Sequence, residues 1–267
     1  MFAEERRKEI IKTLENSKRA SVNELSEEFD VSRATIRRDL SELEKNGFLR
    51  RTHGGAILSA SSKLEPSYKE KEDHFAKEKA AIGKKAADII RDGDTIYIDA
   101  GTTTRNIIEH LNEKNNLTIV SNAHHIIKRI KDSEIDCELV VVGGNFKKTT
   151  EAMIGPMAEE FLQKLRVDKA FIGVNGFNLD AGATTPDPRE AKMKEIAISI
   201  AAENFFLFDR SKWEELYFCR FADLDMIDFV ITDQLSGEKE KALKERATEW
   251  FEKHRYEVNW VLIKKDK

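Results

Sequence analysis

Apolar residues recur along this chain at two different spacings, and the change between them divides it. Ile10, Ile11 and Leu14, then Leu25 and Phe29, then Ile36, Leu40 and Leu43 fall at three- and four-residue intervals among charged neighbours. That is the period of helices with one buried face. It predicts a helix over residues 2–16, a short one over Ser21–Phe29 and a longer one over 32–46. Ser21, with Glu24 three residues on, reads as a capping box; Asp30-Val31 is the tight connection, Ser32 a second cap, and Asn46-Gly47 a stop. Phe48 to His53 alternates like a small strand before Gly54-Gly55 turns. Residues 57–76 lose the helical period and gather Ser and a Pro, the composition of a linker.

From about residue 77, helical stretches alternate with short apolar runs. Helices are predicted over Lys79–Ile90, Thr104–Leu111, Ala123–Ile130, Met153–Leu165 with its start near Gly155-Pro156, 189–202 and Glu238–Phe251. Strands are predicted over Thr95–Asp99, Leu117–Val120, Glu138–Val142, Lys169–Val174, Asn204–Phe208, Ile227–Asp233 and Tyr256–Ile263. Such alternation implies crossovers onto a mostly parallel sheet. The expected organisation is an all-α winged helix-turn-helix domain over 1–56, a linker over 57–76, and an α/β, mostly parallel-sheet domain over 77–267.

Composition narrows the function classes. A net charge of −4, with 35% charged and 40% hydrophobic residues, suits a folded protein whose contact with any polyanion is local. No apolar run approaches the ~20 residues that cross a bilayer, and the first residues are not a signal peptide, so no membrane association and a cytoplasmic location are expected. Cys137 and Cys219 stand alone, without the ligand spacing of a zinc site or the count of a disulfide framework. His124 and His125 are neighbours on a predicted helix; they diverge and are expected to be surface or helix-start residues, not metal ligands.

Positive charge concentrates in one place. Between Ser32 and His53 stand Arg33, Arg37, Arg38, Lys45, Arg50 and Arg51 against Asp39, Glu42 and Glu44. With Ile36, Leu40 and Leu43 facing inward, Ser32, Arg33, Thr35, Arg37 and Arg38 face outward, as a recognition helix in a major groove requires. Arg50, Arg51 and His53 of the wing are expected at the backbone or minor groove of double-stranded DNA.

The second domain carries candidate chemistry at its strand ends, where ligands bind in open parallel sheets. Asp99-Ala100-Gly101-Thr102-Thr103-Thr104 joins a strand to a helix with three hydroxyls and successive N–H groups, an arrangement suited to an anion. It is neither a P-loop nor a dinucleotide fingerprint. Asn122, Gly143 and Asn175 stand at other strand ends, and Lys212 follows another as a possible counter-charge.

These residues carry a resemblance. Val31-Ser32-Arg33-Ala34-Thr35-Ile36-Arg37-Arg38-Asp39-Leu40, followed by Leu43, Gly47, Leu49, Arg51 and His53-Gly54-Gly55-Ala56, resembles the signature of the DeoR family of bacterial transcription regulators. Asp-x-Gly-Thr-Thr-Thr from Asp99, Ser121-Asn122, Gly143-Gly144, Gly173-Val174-Asn175-Gly176 and Asp209-x-Ser211-Lys212 follow in the order of that family's effector domain. The resemblance implies a repressor of a carbohydrate-utilisation operon, a phosphorylated sugar as effector bound by the strand-end residues named above, no cofactor, and a homo-oligomer, dimer or tetramer. It also implies a sensor domain similar to ribose-5-phosphate isomerase, so the alternative is an isomerase-like enzyme with an accessory DNA-binding domain. Aligning Lys194 with the isomerase lysine puts Met193, which takes no proton, at the base position; a shifted alignment keeps Glu190 or Glu195. A third possibility is a second domain that only oligomerises.

Overall fold

The structure is a computed structural model and describes residues 3–17, 19–45, 49–52, 54–58, 67–233, 245 and 259–263. The chain separates into two compact units, Met1–Glu65 and Pro66–Lys267.

The first unit holds α1 (Ala3–Ser17), β1 (Arg19–Ser21), α2 (Val22–Glu28), α3 (Arg33–Lys45), β2 (Leu49–Thr52) and β3 (Gly55–Leu58). Ile10, Leu14, Leu25, Ile36, Leu40 and Leu49 are fully or almost fully buried in one core, as their spacing requires. Ser21 and Glu24 form both arms of the capping box: the Glu24 amide donates to Ser21 Oγ at 3.1 Å and the Ser21 amide to the Glu24 carboxylate at 2.7 Å. Those bonds, backbone first, lower the Glu24 pKa. Asp30 turns the chain between α2 and α3 at φ 49°, a left-handed angle that Asp tolerates better than most residues. The helical domain carries its wing as an antiparallel three-stranded sheet in the order β1-β3-β2, two strands more than the one expected before Gly54-Gly55. β1 was not legible because three residues carry too little alternation. Gly55 marks it, since a Cβ there would sit 2.1 Å from the Ala20 carbonyl oxygen.

The second unit opens with α4 (Tyr68–Asp73) and α5 (Ala76–Ile89). β4 (Thr95–Ile98) runs into a 3-10 helix over Thr104–His110, followed by β5 (Leu117–Ser121), α6 (His124–Lys131) and β6 (Cys137–Val141). A hairpin of β7 (Asn145–Lys147) and β8 (Ala152–Ile154) precedes α7 (Pro156–Leu162) and β9 (Val167–Gly173). Then come β10 (Gly176–Asn178), β11 (Gly182–Thr185), α8 (Pro188–Ile200), β12 (Ala201–Leu207), β13 (Cys219–Ala222), β14 (Phe229–Asp233) and β15 (Asn259–Ile263). Seven strands form one parallel sheet in the order β15-β14-β12-β9-β4-β5-β6.

Alternation along the central strands sorts residues onto its two faces. Ile96, Ile98, Phe171, Phe205 and Leu207 enter the core under α5 and α6, while Tyr97, Ala170, Ile172 and Phe206 enter the one under α7 and α8. Burial on both faces is why the strands read as continuous apolar runs.

Several boundaries move. Ile57 and Leu58 belong to β3, and residues 67–75 to the second unit, so the linker expected over 57–76 contracts from both sides. Ser67 and Glu70 form a second capping box that starts α4. Residues 152–154 are a strand, while α7 begins at Pro156, where its start was expected, because Gly155, at φ 94°, turns the chain there. The β10-β11-β13 antiparallel sheet was missed, its strands being three or four residues each. The helix expected over Glu238–Phe251, apart from Glu245, lies outside the described residues, as do Asn46-Gly47 and His53.

Candidate functional site

In the first unit, Ser32, Arg33, Arg37 and Arg38 are exposed along α3, with Thr35 partly so. Ser32 Oγ accepts the Thr35 amide at 3.1 Å and pairs with the Thr35 hydroxyl at 2.9 Å, so both hydroxyls set the start of the helix. Asp39, counted above against the basic stripe, instead faces inward. At 2% exposure it receives Arg6 Nε at 2.7 Å and Arg7 Nε at 3.0 Å, which ties α1 to α3. The outer face of α3 is therefore more positive than the residue count indicates. Arg51 is held toward the helix: its guanidinium donates to Ser41 Oγ at 2.7 Å and its amide to Glu44 at 2.8 Å. Arg50 lies on β2 beside it, at the hairpin of β2 and β3.

In the second unit, strand order reverses between β4 and β9, because β5 and β6 lie to one side and β12, β14 and β15 to the other. In open parallel sheets the ligand crevice lies beyond the carboxyl ends of the strands at such a switch point, here β4 and β9. Asp99 to Gly101 and Gly173 to Asn175 sit there. The two loops meet closely: a Cβ on Gly173 would lie 3.2 Å from Asp99 Oδ2 and 3.5 Å from Gly101 Cα.

Several residues expected to hold a ligand are already engaged. Asp99 Oδ2 accepts the Gly173 amide at 3.0 Å and forms a buried ion pair with Lys194, whose ammonium also donates to the Gly173 carbonyl at 2.8 Å. Thr104 Oγ1 donates to the carbonyls of Asp99 at 2.6 Å or Gly101 at 3.0 Å and accepts the Gly101 amide, closing the turn. Asn122 is 2% exposed; its Oδ1 accepts Tyr97 OH at 2.9 Å and its Nδ2 donates to the Met153 carbonyl at 2.8 Å. Asp99, Thr104 and Asn122 thus build the crevice. Thr102 and Thr103 are buried at the same loop, Gly143 is exposed with open space around its Cα, and Asn175 Oδ1 accepts the Thr185 hydroxyl at 2.9 Å.

The charge that sequence reasoning missed lies beside the threonine loop. Lys79 of α5 is buried, and burial pushes its ammonium down to about 8; Asp209 opposes this, while Lys212, Lys71 and Arg105 push the same way. Lys212 is lowered likewise, first by burial and then by Lys71 against Asp209. Trp213 fixes the neighbouring backbone by edge contacts with Phe177 and Phe208, at 5.1 and 5.3 Å between ring centres. Asp209 is 1% exposed and accepts the Ser211 amide at 3.0 Å through Oδ1, while its Oδ2 accepts no hydrogen bond. Lys79 is buried and Lys212 partly so, and in both burial disfavours the charged form, a penalty that a neighbouring anion reduces. Lys79 escapes sequence reading because helix α5 looks like an ordinary amphipathic helix; only its approach to Lys212, far along the chain, gives it meaning.

His124 is exposed, at 3.5 Å from the Glu151 carboxylate. His125, the second residue of α6 and so at a helix start as expected, is buried and packs on Tyr68 at 4.2 Å between ring centres. Burial, then the nearby Arg105 charge, pushes its pKa down to about 3, so it is neutral at physiological pH. Tyr68, Arg105 and His125 line a cleft of about 610 Å³ together with Lys128 and Glu151. Among the described residues, no group of three or more His, Cys, Asp or Glu side chains is placed to hold a metal ion, and no helix is long and apolar enough to cross a membrane.

Residues 6–62 match the DeoR-like helix-turn-helix domain, and residues 74–234 the DeoR C-terminal sensor domain. The chain is 36% identical over 233 residues to the HTH-type transcriptional regulator GlpR of Haloferax volcanii, covering 87% of this chain and 91% of that protein. It is 39% identical over 233 residues to the HTH-type transcriptional regulator FruR of Bacillus subtilis, covering 87% and 92%. It is 38% identical over 232 residues to a lactose phosphotransferase system repressor of Staphylococcus epidermidis, covering 85% and 92%. Among solved structures, ribose 5-phosphate isomerase A from Methanocaldococcus jannaschii overlaps 51% of this chain and 53% of its own at 19% identity and a TM-score of 0.37. That likeness is too loose to bear on function.

Proposed function

The chain belongs to the DeoR family of DNA-binding transcription regulators, and from that premise we propose that it represses a carbohydrate-utilisation operon as a homo-oligomer whose operator affinity is set by a phosphorylated sugar. Arg33, Thr35, Arg37 and Arg38 contact bases and nearby phosphates, and Arg50, Arg51 and His53 contact the backbone. The sugar phosphate lies at the switch crevice, its phosphate against Lys79, Lys212 and the Thr102–Thr103 loop, its hydroxyls toward Asn175 and Gly143. The observation that carries this reading is the buried Lys79 and the half-buried Lys212 gathered around Asp209, with burial disfavouring the charge of both ammonium groups. The exposed apolar side chains Phe146, Met157 and Phe161 support self-association.

The geometry favours sensing over catalysis. Met193 is 1% exposed in the core, and Glu190 is held by Lys147 at 3.1 Å and by the Thr150 hydroxyl. Glu195 pairs on the surface with Lys192 at 3.1 Å. Met193 takes no proton, and each of the two glutamates is already paired with a lysine.

A thermal-shift screen against pentose and hexose phosphates tests the proposal, since a ligand of the folded state stabilises it in proportion to the logarithm of its concentration over its dissociation constant. At least one sugar phosphate should raise the melting temperature, and none should be converted. No shift with any of them at millimolar concentration would leave only an oligomerising role for the second unit; isomerisation abolished by Glu190→Gln would make it an enzyme.

A further inference from the structure

Helix α4 is the first element of the second unit, and cations of the anion-seeking cluster hold it down. Arg105, the residue after Thr104, donates through Nη1 to Tyr68 OH at 2.7 Å and forms an ion pair with Glu72. Lys79 donates to the main-chain carbonyl of Lys71. Two further contacts involve no cation: the Tyr68 amide donates to the Thr149 carbonyl at 2.9 Å, and the Tyr68 ring rests on His125. Burial works against the Arg105 charge, and the bonds from Glu72 and Tyr68 more than offset it.

Glu72 and the Lys71 carbonyl therefore stand, with respect to Arg105 and Lys79, where the oxygens of a phosphate would stand. Both are acceptors, one carries a full negative charge, and both meet donors that a dianion would satisfy better. A ligand anion placed against Lys79 would repel the Glu72 carboxylate and compete for the same N–H groups. α4 takes Arg105 Nη1 and one donor of the Lys79 ammonium, so a ligand anion that seeks those donors competes with it.

We propose that α4 is a built-in competitor of the effector: Glu72 and the Lys71 carbonyl occupy Arg105 and Lys79 in the unliganded chain, and a phosphorylated ligand displaces them, loosening the helix. The inference rests on the anion site proposed above. It supplies the two states that any coupling between sites requires, since ligand and α4 exclude one another. It also makes the apparent affinity lower than the intrinsic one by the fraction of chains in which the helix is released. Loosening α4 alters the first element of the second unit, which follows the Glu65–Pro66 boundary in the chain.

The experiment uses the full chain and inorganic phosphate. Phosphate affinity is read by thermal shift, and exchange of the α4 amides by hydrogen–deuterium exchange with mass spectrometry. In the wild type, saturating phosphate should speed exchange across residues 69–73. Glu72→Gln should bind phosphate about fivefold more tightly, as expected when the competitor is closed in most chains. Tyr68→Phe, which keeps the ring on His125 but loses the hydroxyl, should shift affinity the same way by less. Phosphate that binds while leaving α4 exchange unchanged, or slowing it, would overturn the competitor and leave the anion site standing. An affinity in Glu72→Gln equal to or weaker than wild type would do the same. Phosphate that binds neither protein would remove the anion site and the competitor with it.

Discussion

The two units place their cations in opposite ways. In the first, Arg33, Arg37 and Arg38 stand exposed on α3, while the one acid among them, Asp39, turns inward to Arg6 and Arg7. In the second, Lys79 and Lys194 are buried and Lys212 half-buried, and they differ in how fully they are compensated. Lys194 has Asp99 and the Gly173 carbonyl; Lys79 and Lys212 share Asp209. Exposed charges cost little and can meet a polyanion of any length, with affinity that falls as salt rises. Buried and under-compensated charges select a small anion that can enter.

The comparison breaks most sharply at the compensated pair. Lys194→Met should destabilise the second unit by about 3–5 kcal/mol, because it leaves Asp99 as a buried charge with the Gly173 amide as its remaining partner. Adding Asp99→Asn should recover part of that loss. Urea unfolding of the two variants checks it; equal stability of Lys194→Met and wild type would mean that the pair does not lock the crevice. Next in size, Arg37→Ala should weaken operator binding by about 1–3 kcal/mol while leaving sugar-phosphate binding unchanged, as measured by fluorescence anisotropy on duplexes selected by the protein itself.

A pH series sharpens the contrast. Sugar-phosphate affinity should fall about tenfold between pH 7 and 9 as Lys79 loses its proton near 8. The same shift acts on stability with the opposite sign. The folded value lies below the ordinary 10.5, so the folded chain binds fewer protons between about 8 and 10.5, and this group adds stability as pH rises through that window. DNA affinity, carried by arginines, should show no matching step near pH 8. The smallest effect belongs to Ser21→Ala, which removes one arm of the α2 capping box and should cost about 1 kcal/mol in thermal unfolding of the first unit.

Much of the fold was legible because its signals are local. Ser21 and Glu24 are three residues apart, the α3 stripe repeats within four turns, and the buried strands announce themselves as apolar runs between helices. The crevice was legible only as a set of loops. Three threonines in a row read as three ligand contacts, yet the third hydroxyl closes its own turn, a role that depends on the carbonyl directions of Asp99 and Gly101. Asp99 read as a ligand contact because its partner, Lys194, lies 95 residues further on. Asn122 faced the same limit, being fastened to Tyr97 and Met153. The short pieces, β1, β10 and β11, carry too few residues for a period to emerge.

The most direct test of this division of labour is a crossed titration, with operator DNA and a sugar phosphate each measured against Arg37→Ala and Lys79→Met. The expected result is that Arg37→Ala loses DNA affinity and keeps the sugar phosphate, while Lys79→Met keeps unliganded DNA binding and loses the sugar phosphate. Loss of both ligands by both variants would contradict it.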